Sequence, residues 1–173
     1  MAGGRGKQDL AGQQGEVYPA ALRYLARREY GEQELAERLL RRGAEPAVVE
    51  ETLMRLREQG YLCEARFAAS RVRQRRDFNR RGRSAIRAEL YSLGVDTAVV
   101  EQALQEEFDA ETEKQLLTSL AEAAAAGLTR LPDAQARQRR LQSLQRRWLA
   151  HGFPPGDVYE AIRAAAAAVS EEE

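Results

Sequence analysis

The chain has 173 residues, with 27 basic and 27 acidic side chains, and is 43% hydrophobic and 31% charged, which suits one ordinary folded domain or a few small modules. No window of about 18 uncharged apolar residues exists, so a membrane span is not expected. Residues 1–15 are rich in Gly and Gln and lack an apolar core segment, so a cytoplasmic location and no secretory signal are expected.

Residues 1–16 contain five glycines and four charges and almost nothing to bury, and read as a disordered tail. Beyond them the apolar spacing is helical, in a vocabulary dominated by Ala, Arg, Glu and Leu. A first helix is expected near 20–29, with Leu22, Leu25 and Ala26 apolar. A longer one near 64–78 carries Phe67, Ala68 and Val72. A third near 111–126 carries Leu116, Leu117 and Leu120, and Gly127 and Pro132 end it.

Each of these helices is followed by the same pattern, anchored on Gly43, Gly94 and Gly152. Four residues before each glycine stands Leu39, Leu90 or Trp148, and eight before stands Leu35, Ile86 or Leu144. Three before comes Leu40, Tyr91 or Leu149; six after comes Val49, Val100 or Val158; ten after comes Leu53, Leu104 or Ile162. These are helical intervals on both sides of a glycine stop, which suits a helix end in the left-handed conformation. Pro46 and Pro155 fit the first turn of the helix that follows, and Asp96 fits its N-cap.

The pattern predicts an all-α chain of three tandem three-helix repeats, 17–62, 63–108 and 109–168, with an acidic tail at 169–173. Each module is too small for a strong core of its own, so neighbours lean on one another and the expected form is an elongated, curved helical array.

Charge is segregated although it sums to zero. Between 65 and 87 stand nine arginines (Arg66, Arg71, Arg73, Arg75, Arg76, Arg80, Arg81, Arg83 and Arg87) against the single acid Asp77. Between 101 and 113 there are six acids and no base, and between 137 and 147 five arginines, including Arg137, Arg139 and Arg140, and no acid. On a helical projection Arg66, Arg73, Arg76 and Arg80 lie opposite Phe67 and Phe78, so the cations are expected outside and both phenylalanines inside. With so few acids nearby in sequence, the first stretch fits a solvated, salt-bridged face poorly and a polyanion or acidic partner better. The acidic stretch can pair with bases of the same molecule or of a partner.

Catalytic chemistry is missing. No phosphate-binding loop, dinucleotide fingerprint or metal-ligand spacing occurs. The lone Cys63 excludes an intrachain disulfide and reads as half-buried filler, and the lone His151 stands at a helix end, where a positive ring suits the macrodipole. Trp148 occupies a core position of the repeat. Glu34, Glu37, Glu50 and Glu51 are ordinary helix-surface carboxylates. A non-enzyme without cofactor or metal is expected.

Several runs resemble the bacterial regulatory protein RecX family. They are Ala21-Leu22-Arg23-Tyr24-Leu25-Ala26-Arg27-Arg28-Glu29-Tyr30 with Glu34-Leu35; Gly60-Tyr61-Leu62 leading into Arg66-Phe67-Ala68; Gly82 with Ile86, Glu89-Leu90 and Gly94-Val95; and Arg146-Arg147-Trp148-Leu149-Ala150-His151-Gly152-Phe153. The resemblance spans roughly 18–168. It implies tandem three-helix repeats and a partner, the recombinase RecA, bound in the groove of its filament on single-stranded DNA. It further implies blocked filament growth or disassembly, with lower ATPase, strand-exchange and coprotease activity. Two departures stand out: Cys63-Glu64 where the family has an acidic pair, and Gly31 where it often has Ser.

Alternatives are an autonomous DNA-binding regulator or a protein-only helical scaffold. The helices after each glycine (46–58, 97–107 and 155–167) carry mostly Val, Ala, Glu and Gln, which suits a DNA-recognition helix poorly. A monomer is expected, since the modules use the apolar residues internally.

Overall fold

The computed structural model describes the backbone of residues 5–170 and the side chains of 15–168. Among the described residues there are nine helices and no strand: α1 (Arg5–Leu25), α2 (Glu32–Leu40), α3 (Pro46–Glu58), α4 (Glu64–Asp77), α5 (Arg83–Ser92), α6 (Thr97–Glu107), α7 (Ala110–Leu128), α8 (Ala134–Ala150) and α9 (Pro155–Ser170). They form two compact units. One comprises the chain up to Ser70 with Leu90–Val100; the other comprises Arg71–Glu89 with the chain from Glu101 onward. The division passes through α4, α5 and α6.

In the first unit α1, α2 and α3 enclose Val17, Ala21, Tyr30, Leu35, Leu39, Val48, Val49, Leu53 and Leu56. In the second, α7, α8 and α9 enclose Leu117, Ala121, Leu128, Leu144, Trp148, Phe153, Val158 and Ala161. The repeat offsets sort cleanly by burial. The positions four and eight before the glycine are buried in all three modules, as is the one six after. The position three before is different: Leu40 and Tyr91 are 42% and 40% exposed. They lie one residue past the buried position, about 100° around the helix, at the edge of the apolar stripe.

The glycine stops behave as their chemistry requires. Gly43, Gly94 and Gly152 have φ of 86°, 75° and 86°, and Gly60 at the end of α3 adds a fourth at 72°. Pro46 and Pro155 open α3 and α9. The Asp96 carboxylate accepts from the Ala98 N–H at 2.8 Å at the start of α6. Asp109 and Asp133 cap α7 and α8 in the same way, accepting from Thr112 and Ala136.

Three boundaries differ from expectation. α1 reaches back to Arg5, into the stretch read as tail, and stops at Leu25 rather than running to 29. Gln, Lys and Ala carry that stretch as helix despite Gly12 and Gly15, since an interior glycine costs only about 1 kcal/mol. The tail assignment for residues 1–4 and 171–173 lies outside the described residues. Gly127 does not stop α7, which continues to Leu128, because a single glycine weakens a last turn without ending it.

Phe78 does not join the core. α4 ends at Asp77, so Phe78 leaves the helical projection that placed it beside Phe67, and it is 84% exposed.

Candidate functional site

The arginine stretch spans the second half of α4, the turn after it and the first half of α5. A helix places residues three and four apart side by side, so such a run must either face water or find carboxylates on other elements. It finds carboxylates. Glu89 on α5 is the hub: its side chain, 16% exposed, receives Arg75 through Nε at 2.7 Å and Nη2 at 2.6 Å, Arg81 at 3.3 Å and Arg71 at 3.5 Å. Arg71 is itself only 12% exposed.

Glu107, at the end of α6, pairs with Arg73 through its carboxylate and receives Arg76 at its carbonyl oxygen. Arg76 also binds Asp77 at 2.6 Å, which holds the Asp77 carboxyl below the usual carboxylate range. Arg87 binds Glu101 through Nε at 2.6 Å and Nη2 at 2.9 Å. In the first unit Arg66 binds Glu29 at 2.9 Å and the carbonyl of Gly60 at 2.8 Å.

The expectation of unpaired arginines is therefore corrected. Of the four carboxylates that pair with the run in the second unit, Asp77 lies within it, Glu89 stands just past its end, and Glu101 and Glu107 come from the acidic stretch 101–113. Two arginines of the run stand apart: the side chains of Arg80 and Arg83 form no ion pair among the described residues, although the Arg83 N–H donates to Glu113 at 2.7 Å. Glu113 is 5% exposed, and burial pushes its carboxyl up. In the second unit six arginines of the run thus share four ion-pairing carboxylates, Asp77, Glu89, Glu101 and Glu107, which offset their charge only in part.

α8 is the reverse case. Arg139, Arg140, Arg146 and Arg147 are exposed and form no ion pair among the described residues, while Arg137 is half-buried and partnered. Arg139 and Arg146 are two helical turns apart, on the side away from Leu144 and Trp148. The sequence singled out Arg137, Arg139 and Arg140; the structure moves the weight to Arg139, Arg140, Arg146 and Arg147.

One contact set in the second unit was not foreseen. The Gly82 N–H donates to the His151 carbonyl at 2.9 Å, and His151 Nδ1 lies 3.1 Å from the Arg80 carbonyl. A Cβ on Gly82 would fall 2.5 Å from the Gly152 carbonyl oxygen, and one on Gly152 would fall 2.6 Å from Ala85 Cβ. Backbone touches backbone here, so His151 is a strut between turns as well as a helix end. Among the described residues no group of three or more His, Cys, Asp or Glu could hold a metal ion, and no helix is long and apolar enough to cross a membrane.

The comparisons with known proteins bear on the family and the fold. The family model "RecX, first three-helix domain" matches residues 18–56, and "RecX, second three-helix domain" matches 64–104. A regulatory protein RecX from Halorhodospira halophila is 38% identical over 91% of this chain and 90% of its own length. This chain belongs to the RecX family. A RecX protein from Geobacillus thermodenitrificans is 41% identical over 53% of this chain, which spans only 34% of that longer relative. A crystal structure of regulatory protein RecX superposes with a TM-score of 0.70 at 28% identity, covering 90% of this chain and 74% of that one. RecX from Lactobacillus salivarius gives the same score at 20% identity, which speaks for the fold.

Gly31, one of the two departures, is the N-cap of α2, and a Cβ there would meet the Phe67 ring at 2.9 Å. Cys63 is half-buried, as expected.

Proposed function

We propose that this RecX-family chain is a non-enzymatic inhibitor of the RecA recombinase. As a monomer in the cytoplasm it binds the groove of the RecA filament on single-stranded DNA. There it limits filament growth, and with it ATP hydrolysis, strand exchange and coprotease activity. The end-to-end likeness to the Halorhodospira RecX protein carries this reading. The cationic surface supports it, because a filament on DNA presents phosphate as well as protein. Within that surface Arg80, Arg139, Arg140, Arg146 and Arg147 have charge to offer, whereas Arg66, Arg71, Arg73, Arg75, Arg76, Arg81 and Arg87 are also braces of the fold.

The test is ATP hydrolysis by the cognate RecA on single-stranded DNA with this protein titrated in. Inhibition at well below one copy per RecA is expected. The triple variant Arg139→Glu, Arg140→Glu, Arg146→Glu should weaken it without loss of helicity, since no ion pair is broken. Absence of inhibition by the folded wild-type protein would overturn the proposal.

A further inference from the structure

Phe78 is the most exposed of the large apolar side chains in the described part of the chain, 84% open to solvent, and the fold makes no use of it. The turn that carries it is held on both sides. The Arg81 N–H donates to the Arg75 carbonyl at 3.1 Å, Arg75 Nη1 donates to Asn79 Oδ1 at 3.1 Å, and the Gly82 N–H donates to the His151 carbonyl at 2.9 Å. Between them Arg80 is held at φ 51°, a left-handed conformation that a non-glycine residue adopts at a cost. A strained turn pinned by four contacts, the fourth from His151 Nδ1 to the Arg80 carbonyl, presents its tip in a fixed shape.

The tip offers an open aromatic face and a cation. Arg76 and Arg81 beside it are paired with Asp77 and Glu89, whereas the Arg80 side chain is exposed and forms no ion pair among the described residues. His151, which braces the turn, ends α8, and α8 carries the exposed Arg139, Arg140, Arg146 and Arg147 over roughly 12 Å. Exposed cations on a helix whose end braces the turn that carries an exposed aromatic are the groups that bind a single strand, the cations taking phosphates and the ring a base. A protein-binding knob would instead stand among apolar neighbours, and a duplex has no unstacked base face to offer.

We propose that Phe78 is a base-stacking residue for single-stranded nucleic acid, with Arg80 on the adjoining phosphate and the α8 arginines on the strand beyond. This deepens the DNA-contacting part of the RecX reading and rests on it.

The experiment uses the full chain and two fluorescent probes of equal length, an oligothymidylate and its abasic counterpart. Wild type is expected to bind the base-bearing strand about 5- to 150-fold more tightly than the abasic one. Phe78→Ala should erase that preference, Phe78→Trp should keep it, and neither should move the melting temperature. Arg80→Asn, which tolerates the left-handed backbone, should lower the slope of log affinity against log salt by about 0.7.

Loss of the preference in Phe78→Trp, its survival in Phe78→Ala or its absence from wild type would overturn the proposal. Inhibition of RecA is read in parallel. Inhibition by wild type without base preference removes the stacking role and leaves the RecA reading intact. Base preference without inhibition does the reverse. Loss of inhibition by Phe78→Ala with unchanged oligonucleotide binding would make Phe78 a protein contact and refute stacking.

Discussion

Gly152→Ala should destabilise the protein more than Gly43→Ala, although both glycines have φ of 86°. The backbone strain is the same in each, about 1–2 kcal/mol for an L side chain in the left-handed region. At Gly43 a Cβ meets nothing within 4 Å, so strain is the whole cost. At Gly152 it meets the Ala85 backbone nitrogen well inside van der Waals contact and the Ala85 Cβ at 2.6 Å, and the backbone at the start of α5 cannot swing aside. Overpacking of that kind adds about 1–3 kcal/mol. The totals are then about 1–2 and about 2–5 kcal/mol, or roughly 2–8 °C and 4–20 °C in melting temperature. Gly94→Ala falls between, because its Cβ meets the flexible end of Gln33. Far-ultraviolet circular dichroism through heat and urea measures all three against wild type. Equal losses at Gly43 and Gly152 would refute the backbone-to-backbone contact.

Glu89→Gln should cost about 2–4 kcal/mol, less than a fully buried pair because the site is partly wet, since it leaves Arg71, Arg75 and Arg81 without their shared carboxylate. A urea midpoint unchanged from wild type would dismiss Glu89 as the hub. Glu113→Gln tests the buried carboxyl. Its raised pKa means the folded chain holds the proton at higher pH than the unfolded chain, so ionised Glu113 subtracts from stability above the shifted value and the loss is recovered as pH falls. The amide keeps a carbonyl acceptor for the Arg83 N–H. The variant's advantage in melting temperature should therefore be largest near about pH 7 and vanish toward about pH 4. An advantage that grows on acidification would contradict the sign.

Much of the fold was legible because it is written in intervals. Leu35, Ile86 and Leu144 before the glycine, and Val49, Val100 and Val158 after it, are buried because a helix repeats its faces whatever the context. The capping role of Asp96 and the opening role of Pro46 and Pro155 are equally local chemistry. What failed was non-local. The acidic stretch 101–113 reads as a candidate partner for bases of the same molecule, but the particular pairs, Arg73 with Glu107 and Arg87 with Glu101, span 34 and 14 residues, and a count of nearby acids cannot name them. Phe78 was misplaced because the projection assumed that α4 continued past Asp77. The close approach of the Phe67 ring to Gly31 is likewise non-local.

The strut between Arg80 and His151 also bears on how the protein is made. It joins residues 71 apart, and closing a loop of that length costs about 4 kcal/mol of chain entropy before any contact is gained. At ribosomal speed the turn after α4 emerges about 4 to 14 seconds before its partner does. For that interval the Phe78 tip and the strained Arg80 backbone have nothing from the end of α8 to hold them. The shape of the tip is therefore fixed late in synthesis, once the end of α8 has been made.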